Sequence, residues 1–304
     1  MRSILATTLL LSFTYACSTE APAAPSNDAG DASIEPATQD AQASSVDGGT
    51  DAASDAAVEP DTGNVGRVFA ISDTTIADGG TRASYRAGAY FVHVTGTDTS
   101  ITTRTAGPCV VETMTGGSTT QETELSAGAV HISGGSQKID LVPAGATYNA
   151  VSGKTALWNG GETLTITADG KDVPAFSTSL TAPSKLTLTA PALPSTPNGA
   201  LVITRNADLA ATWTGSSTGQ MVLYFDATTS TSAFATTCTF NASDGKGSVP
   251  AAAFSDYPKG GGTFNFYVKQ TATAVAKGWS IKFTASSAVV SPQGAAATGS
   301  VDFK

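Results

Sequence analysis

The chain has 304 residues, of which 40% are hydrophobic and 13% are charged, with a formal net charge of −9. The hydrophobic fraction is enough for a globular core, and the absence of a basic cluster argues against a nucleic-acid-binding protein. Only two histidines are present. The chain therefore offers few of the side chains that most often serve acid–base catalysis or bind metals.

Residues 1–16 predict a cleaved secretory signal. Arg2 supplies a positive charge, and the apolar stretch 4–16 is shorter than the roughly 20 residues that a membrane-spanning helix needs. The stretch ends in Thr-Tyr-Ala16-Cys17, which resembles the lipobox of bacterial lipoproteins, although Thr14 stands where the lipobox has Leu. The resemblance implies that Cys17 is lipidated and becomes the first residue of the mature chain. The alternative is ordinary secretion with a free Cys17.

Residues 17–64, which begin with the lipidated cysteine, have the composition of a disordered tether. The part after Cys17 contains no aromatic residue and no Lys or Arg, and such a sequence cannot bury enough apolar surface to offset the entropy of ordering it. Ten acidic residues lie here: Glu20, Asp28, Asp31, Glu35, Asp40, Asp47, Asp51, Asp55, Glu59 and Asp61. Residues 65–304 hold fifteen acidic and fifteen basic residues. The net charge therefore belongs to the tether and not to a binding surface.

Cys109 and Cys238 are the cysteines that remain once Cys17 carries lipid. Disulfides persist in the oxidising compartments that an exported chain reaches, so we predict that this pair is bridged. The alternative is two buried free thiols. A metal site built on two cysteines lacks the other ligands that it would need.

Alternating polar and apolar residues predict strands through most of residues 65–304. In the segment 162–168, Leu164 and Ile166 face one side and threonines face the other. The same pattern gives one apolar face to further pairs and runs: Ile139 and Leu141, Phe264 and Phe266, and Trp279, Ile281, Phe283 and Ala285. Glycine-rich turns separate these runs, and the best helical candidate is one turn at residues 250–253.

This pattern predicts an all-β fold of antiparallel β-sandwiches, Ig-like in architecture, after the acidic tether. About 240 residues could form one large sandwich or two of ordinary size. We expect two, over residues 65–183 and 184–304, because prolines cluster after residue 182 as they do at a junction. A disulfide between Cys109 and Cys238 would then join the two halves.

Several short motifs carry a family resemblance over most of residues 150–304. They are Asp-Val-Pro-Ala-Phe-Ser at 172–177, Ile-Thr-Arg-Asn-Ala-Asp-Leu at 203–209, Thr-Trp-Thr-Gly at 212–215, Cys-Thr-Phe at 238–240 and Gly-Ser-Val-Pro-Ala-Ala at 247–252. Together they resemble a group of myxobacterial secreted or lipid-anchored proteins in which a β-sandwich follows an Asp/Ala/Ser-rich tether. The resemblance implies placement and fold, and it supplies no catalytic residues.

Catalytic motifs are not supported by their sequence context. The segment 215–219 reads Gly-Ser-Ser-Thr-Gly and satisfies G-x-S-x-G, but the nucleophile elbow needs a following helix with Asp and His later in the chain. Both histidines precede the motif, so we interpret it as a hairpin loop. His93 and His131 are predicted at solvent-facing strand positions. We therefore predict no catalytic residue, no metal and no cofactor.

Aromatic residues are the remaining candidates for ligand contact, because sugar C–H faces stack on aromatic rings. Trp213 and Trp279 share their strand faces with apolar residues and are predicted to be core. Trp158 lies beside a glycine-rich loop and is the first candidate for a surface contact, followed by Tyr267. Core packing is the alternative for both.

We expect a non-enzymatic cell-envelope lipoprotein that acts as a surface structural, adhesive or binding module. Ser18 after the lipidated cysteine favours the outer membrane. The expected partners are the membrane, through the lipid anchor, and an envelope polysaccharide or surface protein, with no nucleic acid. Two alternatives stay open: a secreted protein, and an envelope hydrolase that acts, for example, on carbohydrate through carboxylates.

Overall fold

The computed structural model describes residues 63–77, 80–96, 100–116, 120–194, 199–294 and 297–304. Side chains are not described for residues 74–77 and 80–82. The predicted signal peptide, Cys17 and residues 18–62 of the predicted tether lie outside the described residues, whereas Gly63 and Asn64, also predicted to belong to the tether, are the first residues of the first strand. The described residues belong to one compact unit. Among them, no helix is long and apolar enough to cross a membrane.

The described residues form strands and two short 3-10 turns, Ala242–Asp244 and Ala251–Phe254, with no α-helix. The strands are β1 (Gly63–Ala77), β2 (Gly80–Thr95), β3 (Ile101–Ala106), β4 (Cys109–Thr115), β5 (Gln121–Glu124), β6 (Val130–Ser133), β7 (Ile139–Leu141), β8 (Pro143–Ala144), β9 (Thr147–Tyr148), β10 (Val151–Gly153), β11 (Thr163–Ala168), β12 (Phe176–Thr181), β13 (Leu186–Ala190), β14 (Ala200–Ile203), β15 (Leu209–Thr214), β16 (Gln220–Thr228), β17 (Ser232–Asn241), β18 (Lys246–Val249), β19 (Gly260–Ala276), β20 (Trp279–Val290) and β21 (Thr298–Phe303). The prediction of an all-β fold is confirmed.

A long central sheet organises the molecule, with strand order β10-β2-β1-β20-β19-β16-β17-β4-β3. The predicted antiparallel pairing holds for most neighbouring strands, but three pairs depart from it: β1 and β13 both run parallel to β20, and β14 runs parallel to β21. Parallel pairing needs a long connection between the two strands. Here β1 and β20 are separated by most of the folded chain, so nothing in their local sequence indicates that they are neighbours.

The hairpin of β19 and β20 is the longest continuous antiparallel pairing after that of β1 and β2. Its turn consists of Lys277 (φ 43°) and Gly278 (φ 85°), with Ala276 paired to Trp279. Two consecutive residues with positive φ form the type I′ turn, whose twist matches that of two antiparallel strands. The two strands that this turn connects are long enough to contribute residues to two separate hydrophobic cores.

Two hydrophobic cores lie on the same face of the central sheet. The paired residues of β19 and β20 stay in register without a bulge, so alternate residues keep one orientation. On β19, Phe264, Phe266 and Val268 enter the carboxyl-terminal core, and Ala274 enters the amino-terminal core. β13, β15 and β18 cover the first core, and β6, β7, β11 and β12 cover the second.

Neither core is made from one continuous stretch of chain, so both cross the predicted boundary at residues 183 and 184. The carboxyl-terminal core takes Ala106, Cys109 and Val111 from the hairpin of β3 and β4. The amino-terminal core takes five residues of the β19–β20 hairpin: Ala274, Trp279, Ile281, Phe283 and Ala285.

Cys109 and Cys238 form a disulfide that links β4 to β17, with their Cα atoms 4.0 Å apart. The two residues are direct partners in the strand pairing and both are buried in the carboxyl-terminal core. The bond therefore fixes the hairpin of β3 and β4 within one core. It does not bridge two separately packed halves.

Candidate functional site

Trp158, the first candidate for ligand contact, is not on the surface. Its side chain is only 4% exposed and belongs to the amino-terminal core. The indole Nε1 donates hydrogen bonds to the Pro183 carbonyl oxygen at 3.1 Å and to Ser287 Oγ at 2.8 Å. The glycine-rich loop entry thus places the ring in the core with its polar atom satisfied, which corrects the sequence-based assignment.

Trp213 and Trp279 are both buried, as their strand patterns predict. Trp213 belongs to the carboxyl-terminal core, and its Nε1 donates to the Ala242 carbonyl oxygen at 2.7 Å. Trp279 belongs to the amino-terminal core, where its ring meets Phe91 edge-on. All three tryptophans are therefore structural.

The segment 215–219 does not form the predicted hairpin loop. It joins β15, which pairs with β13 and β18, to β16, which pairs with β17 and β19. The Ser217 hydroxyl is buried, accepts a hydrogen bond from the Ser184 N–H and donates one to the Thr218 carbonyl oxygen. The segment is a crossing between layers, and its buried serine has a structural role.

The two histidines lie apart, each with its own partners. His93 is exposed and its Nδ1 lies 2.9 Å from Asn64 Oδ1. His131 Nδ1 lies 2.6 Å from Asp140 Oδ1, and Nε2 lies 3.4 Å from Asp169 Oδ1. The hydrogen bond from His131, with help from Lys138, lowers the pKa of the Asp140 carboxyl. Within the described residues, no group of three or more His, Cys, Asp or Glu side chains could hold a metal ion.

An open cleft of about 650 Å³ lies beside the carboxyl-terminal core. Its polar lining consists of Arg205, Lys259, Lys304, Thr204, Asn206 and Ser255. Arg205 donates to the carbonyl oxygens of Tyr257 and Lys304, and Lys304 forms an ion pair with Asp302. No Asp or Glu side chain and no aromatic ring lines this cleft among the described residues. Facing carboxylates of the kind a hydrolase uses are therefore not found at its wall.

The other face of the central sheet, which we call the second face, carries the side chains that alternate with core residues. Described elements that pack against the central sheet, such as β7, β12 and the turn Ala251–Phe254, contribute to one of the two cores. Tyr267, the second candidate for ligand contact, lies on this second face and is partly buried. Burial raises the pKa of Tyr267 and raises that of its neighbour Tyr224 to about 12.

Four cations of the second face lie around Phe69. Val92 and Val222 on this face are buried, whereas Arg67, Arg86 and Lys282 are exposed. We call the group Arg67, Phe69, Arg86, Lys269 and Lys282 the Phe69 patch. Its members come from four adjacent strands, β2, β1, β20 and β19.

The strand register places the patch in three rows across the sheet. The first row runs Tyr90, Arg67, Lys282, Thr273; the second runs Gly88, Phe69, Thr284, Thr271; the third runs Arg86, Ile71, Ser286, Lys269. Each row crosses four strands, and the outer rows are four residues apart. The rows therefore span roughly 14 Å by 13 Å from standard strand geometry.

The ring of Phe69 lies directly against the backbone of Gly88. A Cβ atom at residue 88 would come within 2.6 Å of Phe69 Cζ and 2.7 Å of Cε1. A side chain at residue 88 would therefore displace the Phe69 ring. The Phe69 side chain remains partly exposed.

Tyr90 closes one end of the first row. Its hydroxyl donates a hydrogen bond to Glu122 Oε2 on the neighbouring β5. Burial is the main cause that raises the pKa of Tyr90, and the Glu122 hydrogen bond and charge add to it, whereas the nearby Arg67 lowers it. The Tyr90 hydroxyl thus stays protonated at physiological pH, and its hydrogen bond to Glu122 holds the side chain at the edge of the patch.

Sequence reasoning missed the Phe69 patch, although part of the signal is local. Arg67, Phe69 and Ile71 alternate with Val68 and Ala70, which identifies them as one face of a strand. The parallel pairing that brings Lys282 next to Arg67 has no such local signal. Comparisons with protein-family models, with curated proteins and with solved structures give no match.

Proposed function

We propose that this protein is a non-enzymatic cell-envelope lipoprotein that presents a β-sandwich module to an envelope polymer. In this proposal, Cys17 carries the lipid, residues 18–62 act as the acidic tether, and the anchor is in the outer membrane. The described layers act as the sandwich, Ig-like in general architecture, and the resemblance to myxobacterial tethered envelope proteins is consistent with this placement.

The observation that carries the binding part of the proposal is the second face of the central sheet. Its exposed cations and partly exposed rings project from strands that are fixed from behind by two hydrophobic cores. Binding side chains are most effective when a rigid scaffold holds them in place. The disulfide between Cys109 and Cys238 supports the envelope location in this proposal, because such bonds persist in oxidising compartments.

The anchor is tested by labelling cells that produce the full chain or its Cys17→Ser variant with a radioactive fatty acid. We expect label and membrane partition for the full chain and neither for the variant. Equal membrane partition of both proteins would contradict the lipoprotein proposal.

The binding role is tested by sedimenting the unlipidated Cys17→Ser chain with purified envelope polymers, namely peptidoglycan sacculi and outer-membrane polysaccharide. We expect it to sediment with one of these polymers and to show no release of reducing sugar. Failure to sediment with any of them would contradict a binding role, and polymer degradation would contradict a non-enzymatic one.

A further inference from the structure

Polar residues gather where three strands of the carboxyl-terminal core end or begin. β14 and β21 run parallel, so their carboxyl ends lie together, and β19 begins beside the end of β21 because Gly260 pairs with Phe303. The residues beyond these strand ends are Thr204, Arg205 and Asn206 after β14, Lys304 after β21 and Lys259 before β19. The topology therefore brings three cations from distant parts of the chain to the open cleft of about 650 Å³.

Hydrogen bonds beyond the strand ends fix this arrangement. The Lys304 N–H donates to the Ile203 carbonyl oxygen at 2.9 Å, and the Arg205 N–H donates to the Lys304 carbonyl oxygen at 3.3 Å. The Arg205 guanidinium donates to the Tyr257 carbonyl oxygen at 2.7 Å, and Tyr257 is itself buried in the carboxyl-terminal core. Because Arg205 is already oriented, less conformational entropy is lost when a ligand binds to it.

Three carboxylates lie close to the cleft without lining it. Asp302 forms an ion pair with Lys304, and Asp256 forms one with Arg104. Asp208 accepts a hydrogen bond from the backbone of the neighbouring 3-10 turn. The charge of Lys304 is therefore compensated, and this side chain adds little positive charge to the cleft.

Arg205 and Lys259 supply the positive charge that a ligand can reach. Lys259 is exposed and has no ion-pair partner within the described part of the chain. Arg205 uses two of its five N–H groups on the backbone oxygens of Tyr257 and Lys304, so the others remain for a ligand. A guanidinium beside an ammonium favours a ligand with an oxyanion, since Arg can hold it through two parallel N–H groups.

The remaining walls of the cleft suit a polar ligand. Thr204, Asn206 and Ser255 offer hydroxyl and amide groups, and Ala251 and Ala252 form a small apolar part of the wall. No aromatic ring is found there among the residues that the structure describes. A volume of about 650 Å³ is in the usual range for small-molecule sites. The ligand that fits these groups carries an anion and several hydroxyl groups.

We propose that this cleft binds a sugar that carries an oxyanion, with the oxyanion on Arg205 and Lys259 and the hydroxyl groups on Thr204 and Asn206. A phosphate ester and a sugar carboxylate share this chemistry, and the arms of the test separate them. The inference goes beyond the proposed function, which rests on the second face of the central sheet. Either one therefore fails or stands without the other.

The test follows the backbone amide signals of the isotope-labelled full chain carrying Cys17→Ser by nuclear magnetic resonance. The probes are glucose phosphate and glucuronate, with glucose as the neutral sugar and inorganic phosphate as the anion without sugar. We expect at least one charged sugar to bind at least about tenfold more tightly than glucose and than inorganic phosphate. The shifted amides should include those of Arg205, Asn206 and Ala252. Raising the salt from about 0.05 to about 0.5 M should weaken the binding, because exposed charges are screened.

Two variants connect the binding to the cleft, and a third is the matched control. Lys259→Gln removes an exposed charge and breaks no ion pair, and it should weaken binding about three- to tenfold. Arg205→Gln should weaken binding at least as much, because the guanidinium is lost. Lys154→Gln removes another exposed charge, next to β10 at the far end of the central sheet, and should leave affinity unchanged. Thermal unfolding checks each fold, and Lys259→Gln decides alone if Arg205→Gln does not fold.

Each contrary outcome overturns the inference in a recognisable way. Glucose that binds as tightly as both charged sugars would remove the oxyanion, and inorganic phosphate that binds equally would remove the sugar. Equal losses in Lys154→Gln and Lys259→Gln would show an effect of net charge alone. Full affinity in Lys259→Gln, or shifted amides confined to other parts of the chain, would place the ligand elsewhere. Absence of binding by either charged sugar would end the inference, while sedimentation with envelope polymers would still support the proposed function.

Discussion

The two cores of this protein share strands and differ in how they are held. The carboxyl-terminal core contains the disulfide and a group of rings in mutual contact: Phe225, Phe254, Tyr257, Phe266 and Phe303. The amino-terminal core centres on Phe91, which contacts Tyr148, Phe176 and Trp279, and it has no disulfide among the described residues.

The difference follows from where each core obtains its distant segment. The carboxyl-terminal core takes in the hairpin of β3 and β4, which joins it from far upstream and is bonded there through Cys109. The amino-terminal core takes its distant strands from the β19–β20 hairpin, which is already fixed by its own continuous pairing. The disulfide is found at the hairpin of β3 and β4, which has fewer neighbouring strands than the β19–β20 hairpin.

The largest effect should come from the buried tryptophans, one for each core. Trp158→Ala and Trp213→Ala should each lower the free energy of unfolding by about 3–5 kcal/mol, because each removes a large buried ring. Each also leaves a buried backbone carbonyl without its indole partner. Urea unfolding followed by circular dichroism measures both losses. A Trp158→Ala loss below 1 kcal/mol would show that this ring is not core.

Removing the disulfide should have the next largest effect and should fall on the carboxyl-terminal core. The double variant Cys109→Ala, Cys238→Ala should lose about 2–4 kcal/mol of unfolding free energy. Hydrogen exchange should show the greatest loss of protection in β3, β4 and β17. The double variant should be insensitive to dithiothreitol, while the parent chain should be destabilised by it. Uniform loss of protection in both cores would contradict this local role.

The second face is expected to respond less than either core. Gly88→Ala should lower the unfolding free energy by about 1–3 kcal/mol, since the new Cβ would collide with the Phe69 ring. The same glycine change made in a Phe69→Ala background should cost clearly less, because the collision is gone. Equal costs in both backgrounds, measured by urea unfolding, would separate Gly88 from Phe69.

The smallest expected effect concerns Glu162, which closes the loop after Trp158. Its carboxylate accepts hydrogen bonds from the N–H groups of Asn159 and Gly160, each at 2.7 Å. Partial burial opposes ionisation, but these N–H groups outweigh it, and the pKa of Glu162 lies below its usual value. The stabilisation is therefore present above the unfolded-state pKa and is lost as pH falls through the folded-state pKa.

Glu162→Gln should accordingly cost about 1 kcal/mol at pH 7, as expected for lost charge-assisted hydrogen bonds at a partly exposed site. The difference from the parent chain should begin to shrink as the pH falls through the usual range of a glutamate, about 4.3, and should be lost once the pH is below the folded-state pKa of Glu162. Thermal unfolding at pH 7, 5 and 3.5 measures it. A difference that is independent of pH would show that the charge of Glu162 has no role in the loop.

The strands could be predicted because each segment carries its own alternation of polar and apolar residues. Leu164 and Ile166 alternate with threonines and are buried as expected, and the same holds for Phe264 and Phe266. Trp158 shows the limit of this reasoning. A loop position predicts an exposed side chain only if the loop lies on the protein surface. Here the residue at the loop entry, Trp158, belongs to the amino-terminal core. Its indole partners, Pro183 and Ser287, are distant in sequence and could not be inferred.

Only part of the candidate site could be predicted from the local sequence of its strands. Arg67 and Phe69 can be assigned to one strand face from the sequence, and a glycine opposite an aromatic residue is a recognisable pattern once the pairing is known. Tyr267, which the sequence predicted as a candidate for surface contact, lies on the same second face and is partly buried. Lys282 and Lys269 join the patch only through pairings that no local motif specifies.

The sequence by itself determined the strands, their buried faces, the pair of cysteines available for a bond and the acidic character of the first 64 residues. These properties depend on periodicity and composition, which each segment carries within itself. The tertiary structure alone decided that β1 lies parallel to β20, that both cores occupy one face of one sheet, and that five side chains from four strands form the Phe69 patch. Such pairings depend on the summed burial of distant segments, and no single segment encodes that sum.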